Sequence, residues 1–510
     1  MRSKKTSINM IVGFLYEITS MVIAFILPRL VLTTFGSQIN GLTSAIVQFL
    51  SYASLLHSGI NGVTRAALYK PFTENDQDKI NAIVKSTELF MRKVAIIYIV
   101  FLLGVAVIYP LIVIDEFDWL FTFTLVLIIG SSSFLQYMLG VTYRTLLQAG
   151  QVQFIAVSIE IGTLIINLIV TIILINFGKS IHIVKLGSAL VFLINPIAIH
   201  IVAKRKFKIN TKVEPDNSAL KERWNAFFSE LSRFLTSNVD LVLLSFFVRT
   251  EEISVYVIYA LVARGLNRLS TSFVFGLEDA FGNMISKNEN EALTKNFRVY
   301  NFLLHTITSI VLPVSIVLIV PFVKLYTSGV IGANYDRFIF GLIFLISVFY
   351  NVLKFPYESL IRASGNFRTA RKLSVIELLI NLVLTISLVS LELIYPGFGL
   401  VGAVIGTLFA TGFKYISVGI FTYRHIDKGT KVNYFVKQNI ITMALVVSLA
   451  FFGLFIGKYI LFEKSISTWI LGAAVLTSVA AIVTFIVSSI FYKVELKNTF
   501  SIMKRIIKRN

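Results

Sequence analysis

Windows of about 20 apolar residues, each long enough to cross a bilayer as one helix, recur along this 510-residue chain from one end to the other. They fall near Ser7–Thr34, Asn40–Asn61, Val94–Ile114, Trp119–Tyr143, Phe154–Asn176, His182–Ala203 and Phe227–Arg249 in the first half. In the second half they fall near Ile253–Gly276, Val299–Tyr326, Phe338–Ile361, Leu373–Ile394, Leu400–Tyr423, Lys437–Ile460 and Ile466–Tyr492. Backbone groups in hydrocarbon must be satisfied within the segment or in a closed barrel, and windows of this length select helices. Composition agrees: 15% of residues are charged, where soluble domains average about 25%. The expectation is an all-α integral membrane protein with 14 transmembrane helices.

Charge fixes the orientation. The opening M-R-S-K-K precedes an apolar run that continues to about Phe35 without a small-residue cleavage site, so it reads as an uncleaved first span with its amino end in the cytoplasm. An even number of spans returns both termini to that side. On this assignment the termini and even-numbered connections carry most of the 47 Lys and Arg. The opposite side holds only Lys179, Lys185, Arg249, Lys324, Arg337, Lys458 and Lys464. Cytoplasmic enrichment of basic residues is the rule for multi-pass proteins. The net charge of +20 is thereby explained as topology, not nucleic-acid binding, and the expected location is a cytoplasmic membrane.

The longest connection, from Lys204 to Trp224, divides the chain after six spans. The next six spans repeat the first six. N-L-I-V-T-I-I-L at Asn167–Leu174 matches N-L-V-L-T-I-S-L at Asn381–Leu388, an offset of 214 residues. The same offset pairs Tyr143-x-x-Leu146-x-x-Ala149 with Tyr357-x-x-Leu360-x-x-Ala363, and Leu186-Gly187-Ser188-Ala189 with Leu400-Val401-Gly402-Ala403. With one residue of slip, Phe14-Leu15-Tyr16-Glu17 meets Phe227-Phe228-Ser229-Glu230. Six spans is an even number, so the two copies run parallel, an arrangement in which two lobes rock about a central cleft. The expected divisions are an N-lobe over 1–208, a cytoplasmic linker over 209–226, a C-lobe over 227–428, and two extra spans with a basic tail over 429–510.

Several chemistries are absent from the sequence. There is no cysteine, so thiol catalysis and disulfides are excluded. The five His show no metal-ligand spacing, and no G-x-x-x-x-G-K-[ST] loop marks ATP hydrolysis. Neither a cofactor nor an enzymatic activity is expected. What remains is charge inside apolar windows, which persists where it faces protein, water or a ligand.

Arg264 and Arg268 carry the sharpest signal. They stand four residues apart on one helix face with Asn267, Thr271 and Ser272 nearby, and paired planar guanidiniums suit phosphate. A structural ion pair with Asp240 is the plainer reading. Arg29, after Pro28, is either a cavity residue or a snorkelling one; Arg65, at the inner end of the second window, is either an anion ligand or a positive-inside anchor. Glu17, Glu230, Glu160, Glu377 and Asp240 are candidates for binding a coupling H⁺ or Na⁺, and equally for neutralising the basic residues. Lys354 and Glu358, four apart around Pro356, read as a pair, and Lys414 reads as a lone cation.

The segments L-P-R-L-V-L-T-T-F-G-S-Q-I-N-G-L and H-S-G-I-N-G-V-T-R-A-A-L-Y-K-P-F, with fourteen spans in two halves, resemble the Wzx-type polysaccharide flippases of the multidrug/oligosaccharidyl-lipid/polysaccharide (MOP) exporter superfamily. The resemblance implies a MATE-like fold and a monomer in a bacterial cytoplasmic membrane. It implies movement of undecaprenyl-diphosphate-linked oligosaccharide from the cytoplasmic to the outer leaflet for O-antigen, capsule or a related polymer, alongside a polymerase and glycosyltransferases. Related lipid II flippases carry cavity arginines on spans 1, 2 and 8, the spans of Arg29, Arg65 and the Arg264/Arg268 pair here. A lipid II flippase, a drug/cation antiporter and, more distantly, a membrane glycosyltransferase or polymerase are the competing readings. Cation export calls for an acidic cleft, and the intramembrane arginines point the other way.

Overall fold

A computed structural model describes residues 2–216, 234, 238–272, 277–427, 432–457, 462 and 464–509, and among these no strand is present. By its internal contacts the chain forms two units, Met1–Ser254 with Val330–Gly332, and Val255–Gly329 with Ala333–Asn510.

The first unit holds α1 (Arg2–Ser51), α2 (Ile60–Glu74), α3 (Gln77–Ile112), α4 (Trp119–Leu135), α5 (Val141–Ala149), α6 (Gln153–Asn176), α7 (Ile181–Lys206) and the short apolar α8 (Asn238–Phe247). The helix α1 is kinked at Gly36, whose φ of 80° and ψ of 177° are not helical; glycine reaches this region without steric penalty. Just beyond, Gly41 lies so close to another backbone that an added Cβ would stand 1.7 Å from the Thr250 carbonyl oxygen. Asn40 secures the same crossing by donating from Nδ2 to Ser254 Oγ at 2.8 Å. The apolar core gathers Leu68, Ile83, Tyr143, Leu146, Ala156 and Ile199, all buried.

Across the division runs α9 (Thr250–Ser272). The second unit continues with α10 (Leu277–Ser286), α11 (Asn290–Tyr326), α12 (Phe338–Ala363), α13 (Phe367–Val389), α14 (Gly399–Phe421), α15 (Val432–Gly457), α16 (Ile466–Phe491) and α17 (Lys493–Arg509). Its core contains Phe297, Leu304, Tyr357, Leu360, Tyr415 and Phe435. Tyr143 and Tyr357, one offset apart in the sequence, are both fully buried, and Asn167 and Asn381 are buried as well. Polar groups inside this core find one another: Asn301 Nδ2 donates to the Tyr357 hydroxyl at 2.7 Å and to Gln438 Oε1 at 2.8 Å, and His305 Nδ1 shares a hydrogen bond with the Thr442 hydroxyl at 2.8 Å. Leaving such groups unmade in hydrocarbon would cost several kcal/mol each. α16 starts at Ser465, whose hydroxyl accepts from Thr468 N while the Thr468 hydroxyl accepts from Ser465 N, a reciprocal cap.

Eleven helical stretches among the described residues are long and apolar enough to cross a membrane, where the sequence shows fourteen windows. The difference has physical causes. The first two windows merge into one run, Ile8–Glu74. Glu251, Glu252, Arg264 and Arg268 make α9 too polar to qualify by composition. The seventh window lies partly outside the described residues, α8 being its apolar described part. The outer faces are those of a lipid-solvated protein: Met10, Val100, Phe451 and Ile482 are at least 60% exposed, with no water-soluble protein's reason to be so.

Candidate functional site

Arg264 and Arg268, the pair singled out by their spacing, stand on α9. The amino end of this helix is held by Glu116: Thr250 N donates to both carboxylate oxygens at 3.1 and 3.2 Å, and the Thr250 hydroxyl donates to Oε2 as well. A carboxylate suits this place, because the first backbone N–H groups of a helix have no partner within it and carry partial positive charge. Further along, the Tyr259 hydroxyl donates to the Tyr335 carbonyl at 2.9 Å and accepts from Arg337 N at 3.2 Å. Ile258, Tyr259 and Ala263 are buried, whereas Arg264 and Arg268 are exposed. The helix therefore packs through its apolar side and presents two guanidiniums, one turn apart, on the accessible side. The Thr271 hydroxyl donates to the Asn267 carbonyl at 2.8 Å.

In the first unit, Arg29 is half-buried on α1 and its carbonyl accepts from the Thr33 hydroxyl at 2.8 Å. Glu17 is exposed on the same helix and Arg65 is exposed on α2; the adjacent Thr64 is buried and shares a hydrogen bond with Thr87 at 3.2 Å. Asp240 is buried in α8. Glu230 lies outside the described residues, as does Lys458.

The remaining carboxylates are engaged within their own units. In the second unit, Lys354 Nζ meets Glu377 Oε1 at 2.6 Å, and Lys414 Nζ meets Glu377 Oε2 at 2.7 Å and Glu358 Oε1 at 2.8 Å. Lys414 also donates to the Ser374 hydroxyl at 3.0 Å, and Arg362 stands 3.7 Å from Glu358. Lys354, Lys414 and Glu377 are buried at 8%, 8% and 1% exposure. This network ties α12, α13 and α14 together. It corrects two expectations: Lys414 is not a lone cation, and the short contact of Lys354 is to Glu377 on the neighbouring helix, not to Glu358 on its own. Helix spacing brings residues four apart onto one face, but a buried ammonium needs a hydrogen-bonded carboxylate, and here the packed neighbour supplies it.

In the first unit, Arg144 Nη1 meets Glu160 Oε1 at 2.5 Å, linking α5 to α6. The distribution of basic residues marks Arg144 only as one cytoplasmic charge among many. A sharper signal lies in the repeat offset, which places Arg144 opposite Glu358 and Glu160 opposite Ser374. At the first of these positions the two units carry charge of opposite sign.

No protein-family model matches the chain, and no curated protein matches it in sequence. Solved structures do match. The lipid II flippase MurJ in an inward closed conformation is similar with a TM-score of 0.62 at 16% identity, covering 94% of this chain and 99% of that one. An inward-facing multidrug resistance MATE family transporter of the MOP superfamily gives 0.54 at 13% identity, over 83% of this chain and 95% of its own. A eukaryotic MATE transporter gives 0.52 at 16% identity, over 87% and 99%. This chain has the MurJ and MATE fold. On that scaffold, function resides in side chains. Those that stand out here are the exposed guanidinium pair of α9 and the self-compensated charges of α12–α14.

Proposed function

We propose that the protein is a MOP-superfamily flippase that moves undecaprenyl-diphosphate-linked oligosaccharide from the cytoplasmic to the outer leaflet of a bacterial cytoplasmic membrane by alternating access, supplying O-antigen, capsule or a related polymer. The reading rests above all on likeness to a lipid II flippase along nearly the whole of both chains. Arg264 and Arg268 are the diphosphate ligands of the proposal, with Arg29 and Arg65 as further anion contacts. Forked, permanently charged donors match a diphosphate, and a polar route lowers the cost of carrying sugar and phosphate past hydrocarbon. Glu17, Glu230, Asp240, Glu160 and Glu377 are the carboxylates of the proposal for coupling H⁺ or Na⁺ or for balancing the basic residues, and Glu160 and Glu377 each face a cation. The membrane potential supplies a further source of direction, about 2.3 kcal/mol per charge at 100 mV.

The test is made in cells. With Arg264 and Arg268 both changed to Ala, surface polymer is expected to fall at least tenfold while undecaprenyl-diphosphate-linked repeat units accumulate. Normal polymer at normal protein level would remove these arginines from the site. The lipid II reading, favoured by the same structural likeness, predicts instead that depletion of the protein arrests cell-wall synthesis and leaves surface polymer to decline only secondarily.

A further inference from the structure

The helix α17 comes after the last span with a single break between them. Tyr492, with φ −133° and ψ 38°, ends α16, and α17 begins at the next residue. Had the chain continued straight, 17 residues would have carried it about 25 Å into water. Its first turns are instead docked on the second unit. Glu495 and Thr499 are buried at 7% and 8% exposure, the Tyr434 hydroxyl donates to Glu495 Oε1 at 3.1 Å, and the Tyr492 ring packs 5.5 Å from that of Phe302. Tyr434 is the third residue of α15, so this end of α17 lies level with the ends of the spans.

Two arcs of the remaining helix surface differ in character. At 100° per residue, Leu496 and Phe500 lie on one arc beside the docked face, and the sequence continues that spacing to Met503 and Ile507. Lys493 and Lys497 lie on the next arc, continued by Lys504 and Lys508. Phe500 is 49% exposed, and Lys493 and Lys497 are exposed. The helix contains six basic residues and one acidic one, and that one, Glu495, is turned inward against Tyr434. Lys437 extends the basic surface, its Nζ 5.7 Å from the Phe491 ring.

We infer that α17 lies in the plane of the bilayer surface and binds the headgroups of anionic phospholipids in the leaflet at this end of the spans. A helix with one apolar arc, one basic arc and a docked third face, placed level with the span ends, has an apolar side for the acyl boundary and a basic side for phosphate. Lysine stems lie along the apolar surface while their ammoniums reach the headgroups. Charge complementarity selects the occupant: each basic residue near an anionic bilayer favours binding about fivefold. This holds whatever the transported substrate is.

The chain has no cysteine, so Phe500→Cys in the full-length protein gives a single site for a nitroxide. The labelled protein is reconstituted into vesicles of phosphatidylcholine alone and of equal parts phosphatidylcholine and phosphatidylglycerol. The nitroxide is expected to be accessible to oxygen and shielded from a water-soluble nickel chelate in the mixed vesicles, and to gain exposure to the chelate in the neutral ones. Native mass spectrometry gives the second readout: Lys493→Gln and Lys497→Gln should each lower retained phosphatidylglycerol about fivefold. An equal nitroxide environment in both lipids with unchanged retention overturns the inference. So does shielding that appears only when a second copy of the chain or another protein is present.

Discussion

Lys414 shows how much a single side chain decides here. Its ammonium is shared between Glu358 and Glu377 in a largely buried site, where removing one member of a buried pair costs about 3–5 kcal/mol because the partner's charge stays behind. Lys414→Met is therefore expected to lower the thermal transition of the detergent-solubilised protein clearly. Adding Glu358→Gln should restore part of the loss, since the second change removes a stranded charge; a double variant no more stable than the single one would show that the network acts through packing alone. Glycine makes the same point by geometry. The tripeptide I-N-G occurs at Ile39–Gly41 and again at Ile60–Gly62. Gly41→Ala drives a methyl into the Thr250 carbonyl, whereas at Gly62 nothing lies within 4 Å. Gly41→Ala should reduce folded yield severely and Gly62→Ala should leave it unchanged, as read by size-exclusion chromatography.

At the scale of elements, α9 depends on a loop residue for its start. Glu116 is the acceptor for Thr250 N and its hydroxyl, so Glu116→Ala leaves the first turn uncapped; loss of a good cap costs about 1 kcal/mol. Faster hydrogen exchange over residues 250–254, with α14 unaffected, is the expected signature. Exchange that stays slow there would mean that the helix is held by packing. The sequence announces α9 through its charges but not this support, because Glu116 is remote in the chain and no periodicity connects it to Thr250. The ion network is half legible. Lys354, Glu358, Glu377 and Lys414 are each conspicuous as charge in apolar windows, yet their pairing depends on how α12, α13 and α14 pack, which spacing along one helix does not contain. Glu160 is conspicuous as a carboxylate in an apolar window, whereas Arg144 stands out only when the offset of 214 residues is applied to charged positions as well as apolar ones.

For the whole molecule, apolar windows and the distribution of Lys and Arg are enough to anticipate an all-helical membrane protein, because hydrocarbon imposes one solution on the backbone. The number of qualifying spans is less legible, since α9 is both a helix of the MurJ and MATE fold and too charged to qualify by composition. The sidedness deduced from basic residues makes the last prediction. Lys179 stands in an exposed turn between α6 and α7, and Lys372 near the start of α13 is also exposed. On the proposed topology the first faces outward and the second inward. Because the chain has no cysteine, Lys179→Cys and Lys372→Cys report independently of any background thiol. A membrane-impermeant maleimide should label Lys179→Cys in spheroplasts and label Lys372→Cys only after the membrane is opened. The reverse pattern would turn the proposed direction of transport around, since both the proposed loading side and the placement of the basic α17 depend on which face meets the cytoplasm. Labelling of both in spheroplasts would require an even number of spans between them, and so would reject the topology.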